Sequence, residues 1–465
     1  MLPEDFRQRI KHQEYIDSEG LSNALQIPSP VSIRINSRKW NQIPLNSEPV
    51  PWCKDGFYLD KRPSFTLDPL FHAGCYYPQE ASGMFLEQVF KQVAGEQKVS
   101  KVLDLCGAPG GKSTHLASLI GVNGFLVANE VIRQRALVLA ENLTKWGLPN
   151  TMVTQSDPSS FGRIKGFFDM ILVDAPCSGE GMFRDPVAVS EWSLENTALC
   201  CERQKRILMD VWPALKENGI LVYSTCTFNP GENEENIKWL TGKKNAVPVK
   251  LNISDYDGIT EIDLQGIKGY GFYPDRIRGE GLFIAVLRKD GPNEDSSRRI
   301  RTDNKNKLTK DERTVLSGWS LSSEERMIKA GDEFIESACA PSDYLLLSEN
   351  LKIIKAGTRI GTVKTKNYIP AHDLAMSVNF RKESFPSVNL DLHNALLYLK
   401  RESIVLSKIS TGWMSVLYND VPLGFINNLP GRVNNYYPSE WRVRMQIPES
   451  GTENILKWEK AEQGV

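Results

Sequence analysis

The stretch Val102-Leu103-Asp104-Leu105-Cys106-Gly107-Ala108-Pro109-Gly110-Gly111-Lys112-Ser113 decides the fold of this chain. An apolar run ends in an acidic residue and continues into a glycine-rich turn. A helical pattern follows directly, with Leu116, Leu119 and Ile120 on one face and Gly121 at the predicted stop. Strand, turn and helix start together predict a cofactor-binding corner, because small residues let the backbone approach a ligand and free N–H groups face it.

Three kinds of ligand suit such a corner. Gly111-Lys112-Ser113 is typical of the end of a triphosphate-binding loop, but Cys106 stands where that loop needs its first glycine. The glycines also lack the G-x-G-x-x-G spacing of a dinucleotide site. S-adenosylmethionine needs only a glycine-rich turn and an acid on the next strand, and the predicted strand 124–130 ends in Glu130. The pattern therefore favours the methyl donor.

Composition places the chain among ordinary globular proteins. Its 465 residues are enough for two to four domains, with 41% apolar and 24% charged residues. The net charge of −1 gives no overall attraction to nucleic acid, so any RNA binding must be local. No apolar run approaches the roughly 20 residues of a membrane span, and the acidic N-terminus is unlike a signal peptide. The eight scattered cysteines and five isolated histidines predict free thiols, no metal site and a cytoplasmic location.

The chain divides into five predicted segments. Residues 96–290 alternate strand and helix patterns, which predicts a parallel sheet covered on both faces. Within them we expect a helix over 195–217 that ends at Asn218-Gly219. The flanking segments are an α+β extension at 1–95, a polar linker at 291–312, and small domains at 313–390 and 391–450. The basic linker residues are typical of a solvated segment, with RNA contact as the alternative: Arg298, Arg299, Arg301, Lys305, Lys307 and Lys310. We expect a loose tail after about 450.

Chemically active residues recur where the predicted strands of residues 96–290 end. In open parallel sheets, ligands bind outside the carboxyl ends of the strands. The side chains at or just after those ends are expected in one cleft: Cys106, Glu130, Asp157, Asp174, Cys177 and Cys226.

Two of these residues are cysteines in loops after neighbouring strands, Asp174-Ala175-Pro176-Cys177 and Ser224-Thr225-Cys226. Methyl transfer to an amine or hydroxyl needs no thiol, whereas carbon 5 of a pyrimidine is a poor nucleophile. A thiolate that adds to carbon 6 turns the ring into an enamine whose carbon 5 can attack a methyl group. Asp174 is placed to stabilise charge at the ring nitrogen. The residues alone favour Cys177 as the nucleophile, because of its proline loop.

With these motifs the chain resembles the RNA (cytosine-5) methyltransferases of the Nol/Nop/Sun class, and more closely their bacterial RsmF-type ribosomal RNA branch. The segments that carry the resemblance are His72-Ala73-Gly74, Tyr77–Ser82, Cys106–Lys112, Asp174–Gly181, Ser224–Glu234, Phe272-Tyr273-Pro274 and Gly279-Glu280-Gly281. The resemblance implies an α/β fold, with a Rossmann-like S-adenosylmethionine-dependent methyltransferase domain after the extension. It also implies a PUA-like β-rich RNA-binding module at the C-terminus, on the strength of Gly431–Pro438.

The resemblance also implies roles for single residues. Cys226 becomes the nucleophile and Cys177 assists release, the reverse of the order in DNA cytosine-5 methyltransferases. The catalytic set is then Cys226, Cys177 and Asp174. The implied S-adenosylmethionine contacts are Cys106, Gly107, Ala108, Pro109, Gly110, Gly111, Lys112, Glu130, Arg135, Asp157 and Asp174. The family turn usually has alanine where this chain has Gly107, which should be harmless.

The expected reaction is methylation of carbon 5 of a cytidine in RNA, through a covalent cysteine–cytosine intermediate. The expected partner is small-subunit ribosomal RNA or the small ribosomal subunit, met by a monomer without membrane contact. Transfer RNA is the alternative substrate. A protein of another class, a nucleotide-hydrolysing RNA-binding protein that uses Gly111-Lys112-Ser113 and Asp174, is a further alternative, as is an inactive RNA-binding scaffold.

Overall fold

A computed structural model describes residues 2–291, 308–365, 367–404, 406, 410–448 and 454–460. Most of the predicted linker at 291–312, including Arg298, Arg299, Arg301, Lys305 and Lys307, lies outside the described residues. The elements form an N-terminal region, a large central sheet and a C-terminal region.

The N-terminal region is a small sheet with three short helices. Its strands β1, β3, β4 and β5 pair in the order β3-β4-β1-β5. Its elements are helices α1 (Glu4–Ile10), α2 (Ser18–Ala24) and α3 (Pro69–His72), and strands β1 (Val31–Ile35), β2 (Gln42–Pro44), β3 (Glu48–Pro49), β4 (Gly56–Leu59) and β5 (Tyr76–Pro78).

Parallel strands alternate with helices through the central region. Its strands are β6 (Lys101–Asp104), β7 (Phe125–Asn129), β8 (Thr151–Thr154), β9 (Phe168–Asp174), β10 (Leu215–Thr225), β11 (Ala246–Pro248), β12 (Ile259–Leu264), β13 (Ile267–Phe272) and β14 (Leu282–Lys289). Its helices are α4 (Leu86–Glu96), α5 (Gly111–Leu119), α6 (Arg133–Trp146), α7 (Pro158–Phe161), α8 (Pro186–Glu191), α9 (Leu194–Val211) and α10 (Glu234–Lys243).

The central sheet has the order β12-β13-β14-β10-β9-β6-β7-β8. Strands β6 to β10 run parallel, and β14 pairs antiparallel with β10. The strand order reverses between β6 and β9, which is where ligands bind in open α/β sheets. The predicted parallel sheet is therefore confirmed for β6 to β10, whereas β11 to β14 pair antiparallel and make the whole sheet a mixed one.

Both faces of this sheet are buried. Successive residues of β6 enter different cores, Val102 on one face and Leu103 on the other, and neither is exposed to solvent. Leu126 and Val127 of β7 divide in the same way. Such continuously apolar strands are typical of parallel sheets that helices cover on both sides.

The helix expected over 195–217 is shorter than predicted. Helix α9 ends at Val211, and the chain enters β10 at Leu215. Pro213 lacks the N–H that a continuing helix would need. Asn218, expected to end the helix, instead adopts a φ of 59° within the span of β10, where the pairing with β9 is irregular.

The C-terminal region contains two further four-stranded sheets, β15-β16-β18-β19 and β20-β21-β22-β23. Its strands are β15 (Met327–Ala330), β16 (Glu333–Glu336), β17 (Ile353–Ala356), β18 (Thr358–Lys364), β19 (Asn367–Pro370), β20 (Ser387–Asn389), β21 (Gly412–Tyr418), β22 (Val421–Leu429), β23 (Arg432–Asn435) and β24 (Trp458–Lys460). Its helices are α11 (Lys310–Trp319), α12 (Pro341–Asn350), α13 (His372–Met376) and α14 (Leu392–Lys400).

Two strands of the C-terminal region pair with strands of other regions. β17 pairs antiparallel with β8 and extends the central sheet. β24 pairs with β2 of the N-terminal region, and Trp458 packs edge-on against Trp40 with ring centroids 5.5 Å apart. The expectation of a loose tail after 450 is therefore wrong for residues 454–460, because this pairing and aromatic packing anchor them. The domain boundaries stay predictions.

Acidification is expected to destabilise this fold. Burial lowers the pKa of His72 and of His372 to about 3. Near pH 5 the folded chain keeps both rings neutral while the unfolded chain protonates them. The free energy of unfolding should therefore fall as the pH drops below about 6.5, by on the order of 2 kcal/mol per histidine at pH 5.

Urea unfolding at pH 7 and pH 5 measures this dependence. His72→Gln keeps a side-chain donor for the Thr66 carbonyl oxygen, which lies 2.9 Å from the imidazole nitrogen, and should remove about one histidine's share of the pH dependence. The matched control is the exposed His393→Gln, which should leave it unchanged. If the free energy of unfolding of His72→Gln and of His393→Gln depended equally on pH, the buried His72 would not be a source of the acid destabilisation.

Candidate active site

The glycine-rich turn lies just beyond the end of β6. Gly110 has a φ of 124°, which glycine adopts without strain, and α5 follows directly. Helix α6 holds the turn from the side. Arg135 donates a 3.0 Å hydrogen bond to the Ala108 carbonyl oxygen, and Asn142 donates a 2.8 Å bond to that of Pro109. The start of α5 is thus fixed at the sheet edge where β6 ends.

Asp104, the last residue of β6, is fully buried behind this turn. Its Oδ2 accepts a 2.6 Å hydrogen bond from the Ser113 hydroxyl, and its Oδ1 has no hydrogen-bond partner among the residues that the structure describes. Burial raises the pKa of Asp104 to about 7; the Ser113 bond opposes this rise, and the Asp174 charge adds to it. A buried carboxyl oxygen without a partner is a natural acceptor for a ligand group in the turn.

Glu130 begins the loop after β7. Its Oε1 accepts a 3.0 Å hydrogen bond from the Ile132 N–H, and its Oε2 lies 3.5 Å from Nε of Arg135. Arg135 therefore contacts both the glycine-rich turn and the acid of the next strand. The structure brings these two predicted residues together.

Asp157 follows β8 and is the N-cap residue of helix α7. Its carboxylate caps helix α7 by accepting hydrogen bonds of 3.0 Å from the Ser159 N–H and 2.7 Å from the Ser159 hydroxyl. These two hydrogen bonds, led by that from the hydroxyl, lower the pKa of Asp157. The residue is at the expected strand end, but it is exposed and its oxygen is used by the cap.

Asp174 sits at the end of β9 between two donors. Its Oδ2 accepts a 2.8 Å hydrogen bond from the Lys112 ammonium, and its Oδ1 accepts a 2.7 Å bond from the Ser224 hydroxyl. Burial alone would lower the pKa of Lys112, but the charge of Asp174 and its hydrogen bond outweigh that effect and raise the pKa. Lys112 is therefore a cation, held between the turn and the cysteine loops.

The two cysteine loops meet beside this ion pair. The Sγ atoms of Cys177 and Cys226 lie 3.1 Å apart, and the Cys226 N–H points at Sγ of Cys177 from 3.2 Å. The hydrogen bond with Cys226, together with burial, raises the pKa of Cys177 well above its ordinary value. Cys177 is thus held as a neutral thiol that can donate a proton.

Backbone and side-chain bonds lock the loops to each other. The Gly181 N–H donates to the Cys226 carbonyl oxygen at 2.9 Å. The buried Glu232 carboxylate accepts from the Ser178 N–H at 2.9 Å and from its hydroxyl at 2.6 Å. Burial raises the pKa of Glu232.

Sequence reasoning left four polar residues in and around these loops without a role. They are Asp104, Ser224, Glu180 and Glu232. Asp104 carried a signal, since an acid that ends an apolar strand before a glycine-rich turn is unusual. Glu180, Ser224 and Glu232 stood within quoted motifs, but only tertiary contacts show which groups they bind.

A second polar cluster includes neither Cys177 nor Cys226. The ligand atoms of Cys53, Glu87 and His115 lie within 4.8 Å of one another, close enough to surround a metal ion. They already bond to each other, since Nε2 of His115 is 3.3 Å from Glu87, and the Lys91 ammonium holds the other Glu87 oxygen at 2.7 Å. Burial lowers the pKa of His115 to about 4. This cluster joins the N-terminal region to α4 and α5.

A groove of about 1180 Å³ lies in the C-terminal region, and its lining residues come after Cys177 and Cys226 in the sequence. Its lining includes the segment Gly431–Pro438, noted in the sequence, and Arg359 of β18. Arg401 and Arg432 add positive charge to this lining, and Glu402 and Glu440 add negative charge. Tyr436 is 41% exposed at its rim, with its ring centroid 4.4 Å from that of Trp413.

Family models match three parts of the chain. The model for 16S rRNA methyltransferase RsmB/F covers residues 92–288, that for the N-terminal domain of 16S rRNA methyltransferase RsmF covers 2–81, and that for the methyltransferase RsmF PUA domain covers 385–443. Ribosomal RNA small subunit methyltransferase F of Serratia proteamaculans is 31% identical over 84% of each chain. This chain belongs to the RsmB/F family of methyltransferases.

Other relatives support the family assignment. The methyltransferase F protein of Shewanella woodyi is 30% identical over 90% of this chain and 89% of its own length. That of Pectobacterium atrosepticum is 33% identical, but the match spans 62% of this chain and 63% of the relative.

Among solved structures, a methyltransferase homolog from Pyrococcus horikoshii is 29% identical and covers 62% of this chain and 95% of its own, with a TM-score of 0.51. The predicted fold class, a Rossmann-like methyltransferase domain with an N-terminal extension and a PUA-like module, is confirmed. In the part of the chain that the structure describes, no helix combines the length and apolarity needed to cross a membrane.

Gly181→Ala is expected to push the cysteine loops apart. An added Cβ would lie 2.6 Å from the Gly281 carbonyl oxygen and 2.9 Å from that of Cys226, so backbone must shift. The expected loss in the free energy of unfolding is about 1–3 kcal/mol. Urea unfolding measures it.

The matched control is Gly242→Ala in α10, where an added Cβ meets nothing within 4 Å. Because alanine is the better helix former, this variant should be more stable by about 0.5–1 kcal/mol. A stable Gly181→Ala protein would show that the loops can separate freely.

Proposed function

We propose that this protein transfers a methyl group from S-adenosylmethionine to carbon 5 of a cytidine in small-subunit ribosomal RNA, through a covalent bond between cytosine and Cys226. The observation that carries the proposal is the 3.1 Å approach of Cys226 and Cys177 beside the Asp174–Lys112 pair. Two adjacent thiols have no use in methyl transfer to nitrogen or oxygen. Names of the family's relatives, which specify small-subunit ribosomal RNA, support the substrate.

The residues of the turn fit an S-adenosylmethionine site. When bound, the sulfonium compound supplies an electrophilic methyl group. The backbone of residues 106–112 would hold it, with the unpartnered Oδ1 of buried Asp104 as an acceptor behind the turn. Glu130, fixed by Arg135, would accept hydrogen bonds from the ribose hydroxyls. The exposed Asp157 belongs to the same proposed contact set.

The chain's own groups then account for the pyrimidine chemistry. The Cys226 thiolate would add to carbon 6, forming a carbon–sulfur bond and moving charge onto the ring nitrogen. The Lys112 cation would stabilise that negative charge, and Asp174 would do so by donating a proton to the ring nitrogen. After carbon 5 is methylated, its proton must leave to a base, the carbon–sulfur bond must break and Cys226 must leave as a thiolate. We assign assistance of that release to Cys177, whose raised pKa keeps it a neutral thiol.

The C-terminal groove suits the RNA partner. Its arginines can contact phosphates, and the exposed ring of Tyr436 can stack on a base. We therefore propose that this groove binds RNA while the thiol cleft receives the target cytidine.

Cys226→Ala should abolish methylation, by more than about 10³-fold, and should form no covalent RNA complex. Cys177→Ala should still bond to the cytidine but release it slowly, and so accumulate a denaturant-resistant adduct. A denaturing gel with ribosomal RNA and labelled S-adenosylmethionine distinguishes these outcomes.

The control for these thiol variants is Cys201→Ala, since Cys201 is a half-buried thiol of α9 outside the proposed site. It should behave as the wild type. An adduct that needs Cys177 but survives the loss of Cys226 would reverse the two roles, and methylation by Cys226→Ala would refute the covalent route.

Calorimetry tests the cofactor separately. S-adenosylmethionine should bind in the absence of magnesium. Adenosine triphosphate should not bind even when magnesium is present. Glu130→Gln should weaken S-adenosylmethionine by about 5- to 30-fold, because a charged acceptor becomes a neutral one. The exposed carboxylate variant Glu202→Gln is the control. Magnesium-dependent triphosphate binding would instead support a nucleotide-hydrolysing protein.

A further inference from the structure

We propose that Glu180 is a positioning residue that holds Cys226 against Cys177, and that Arg9 of helix α1 supplies the charge that keeps it there. The N-terminal extension is then part of the support of the active site. The inference rests on the proposed function, in which both thiols act on the same cytidine.

Glu180 lies three residues after Cys177, yet it binds the loop of the other cysteine. Its carboxylate is completely buried, and its Oε2 accepts a 3.2 Å hydrogen bond from the Phe228 N–H, two residues after Cys226. Glu232 makes the opposite connection, from the Cys226 loop to Ser178. Two buried carboxylates therefore cross-link the loops reciprocally, each from its own loop to the other.

An arginine of the N-terminal helix balances the charge of the Glu180 carboxylate. Arg9 donates a 2.6 Å hydrogen bond to Oε2 of Glu180, the same oxygen that binds the Cys226 loop. The Trp192 indole N–H donates to Oε1 at 3.0 Å. A single carboxylate thus joins the N-terminal helix, the chain after α8 and the Cys226 loop. A buried carboxylate is stable when ionised only with such a partner, because water cannot solvate it.

Helix α1 is also anchored to the chain segments that follow both cysteines. Gln13, just after α1, donates a 2.9 Å hydrogen bond to the Phe228 carbonyl oxygen. Phe6 packs edge-on against Phe183, which follows Glu180 by three residues, with centroids 4.9 Å apart. The helix therefore presents Arg9 to Glu180 in a fixed orientation. A displacement of about 1 Å at a reacting group is enough to slow catalysis strongly.

The first test measures thiol proximity without RNA. Phenylarsine oxide bridges two thiols that lie close together, and peptide mass spectrometry locates a bridge between Cys177 and Cys226. Arg9→Met leaves Glu180 buried without its cation, so the bridging rate should fall about tenfold or more. In Arg9→Met/Glu180→Gln both charges are absent, and the rate should return to within about threefold of wild type, because removing both partners costs less than removing one.

The controls separate positioning from general stability. Arg7→Met removes another arginine of α1, one that pairs with Glu4 at the surface, and should bridge as wild type. Arg9→Lys keeps the charge and should be intermediate. In the methylation assay, Arg9→Met should lower kcat about tenfold, while the KM for RNA and the Kd for S-adenosylmethionine stay within about threefold. If Arg9→Met does not fold, the isosteric Glu180→Gln is measured in its place, with slower bridging expected.

Bridging at the wild-type rate in Arg9→Met would overturn the proposal. So would equal losses in kcat and in S-adenosylmethionine affinity, which indicate a role in stability alone. If the arsenical results follow the expected order but the wild type neither methylates RNA nor forms an adduct, the positioning role stands and the proposed function fails. If the wild type methylates RNA and Arg9→Met retains both bridging and kcat, the function stands and the positioning role fails.

Discussion

The parallel pairing of β9 with β10 is the constraint on which the candidate site depends. In that register Asp174 lies beside Ser224, and the Ser224 hydroxyl bonds to the Asp174 carboxylate at 2.7 Å. Each strand then ends, and its loop carries a cysteine a few residues further on. Because neighbouring parallel strands end at the same edge of the sheet, two thiols 49 residues apart in sequence come within 3.1 Å. An antiparallel partner would have placed them at opposite edges.

Charge is distributed unevenly around this edge. Lys112 carries a positive charge into a cleft lined by carboxyl groups, and Asp174 is its partner. Asp104 lies behind them with a pKa raised to about 7 by burial, so it is partly protonated near neutral pH. Such groups with shifted pKa values are common where proton transfers occur. The site thus combines the Lys112 cation, the Asp174 carboxyl group that binds it, and the neutral thiol of Cys177 within one group of loops.

The surrounding regions act as supports for this edge. Arg34 of β1 is buried, stacks 4.3 Å from the centroid of Trp146 and bonds to Thr114 of α5 at 2.7 Å. The N-terminal sheet is therefore fastened to the helix that follows the glycine-rich turn. On the far side, β17 extends the central sheet from the C-terminal region. Regions that are separate in sequence are thereby tied to the methyltransferase sheet.

The sequence by itself determined the central sheet and the strand ends at which the candidate residues lie. These follow from local patterns: an apolar strand, a glycine-rich turn, a helical repeat. Local pattern was less reliable between residues 211 and 218, where Pro213 lacks the N–H for a longer helix and Asn218 lies within the span of β10 instead of ending the helix. It also missed β24, because a short strand at the end of a chain has no signal apart from its partner, β2.

Only the tertiary structure decided which side chains meet. Sequence placed Glu180 and Glu232 within motifs, but nothing in the spacing shows that each reaches across to the other cysteine loop. Nothing in the sequence shows that Arg9 binds Glu180, which lies 171 positions further along the chain. Contacts of that kind depend on how strands are ordered and how loops pack, and these long-range relations leave no periodicity in the chain. The residue types were readable from the sequence, and their partnerships came from the fold.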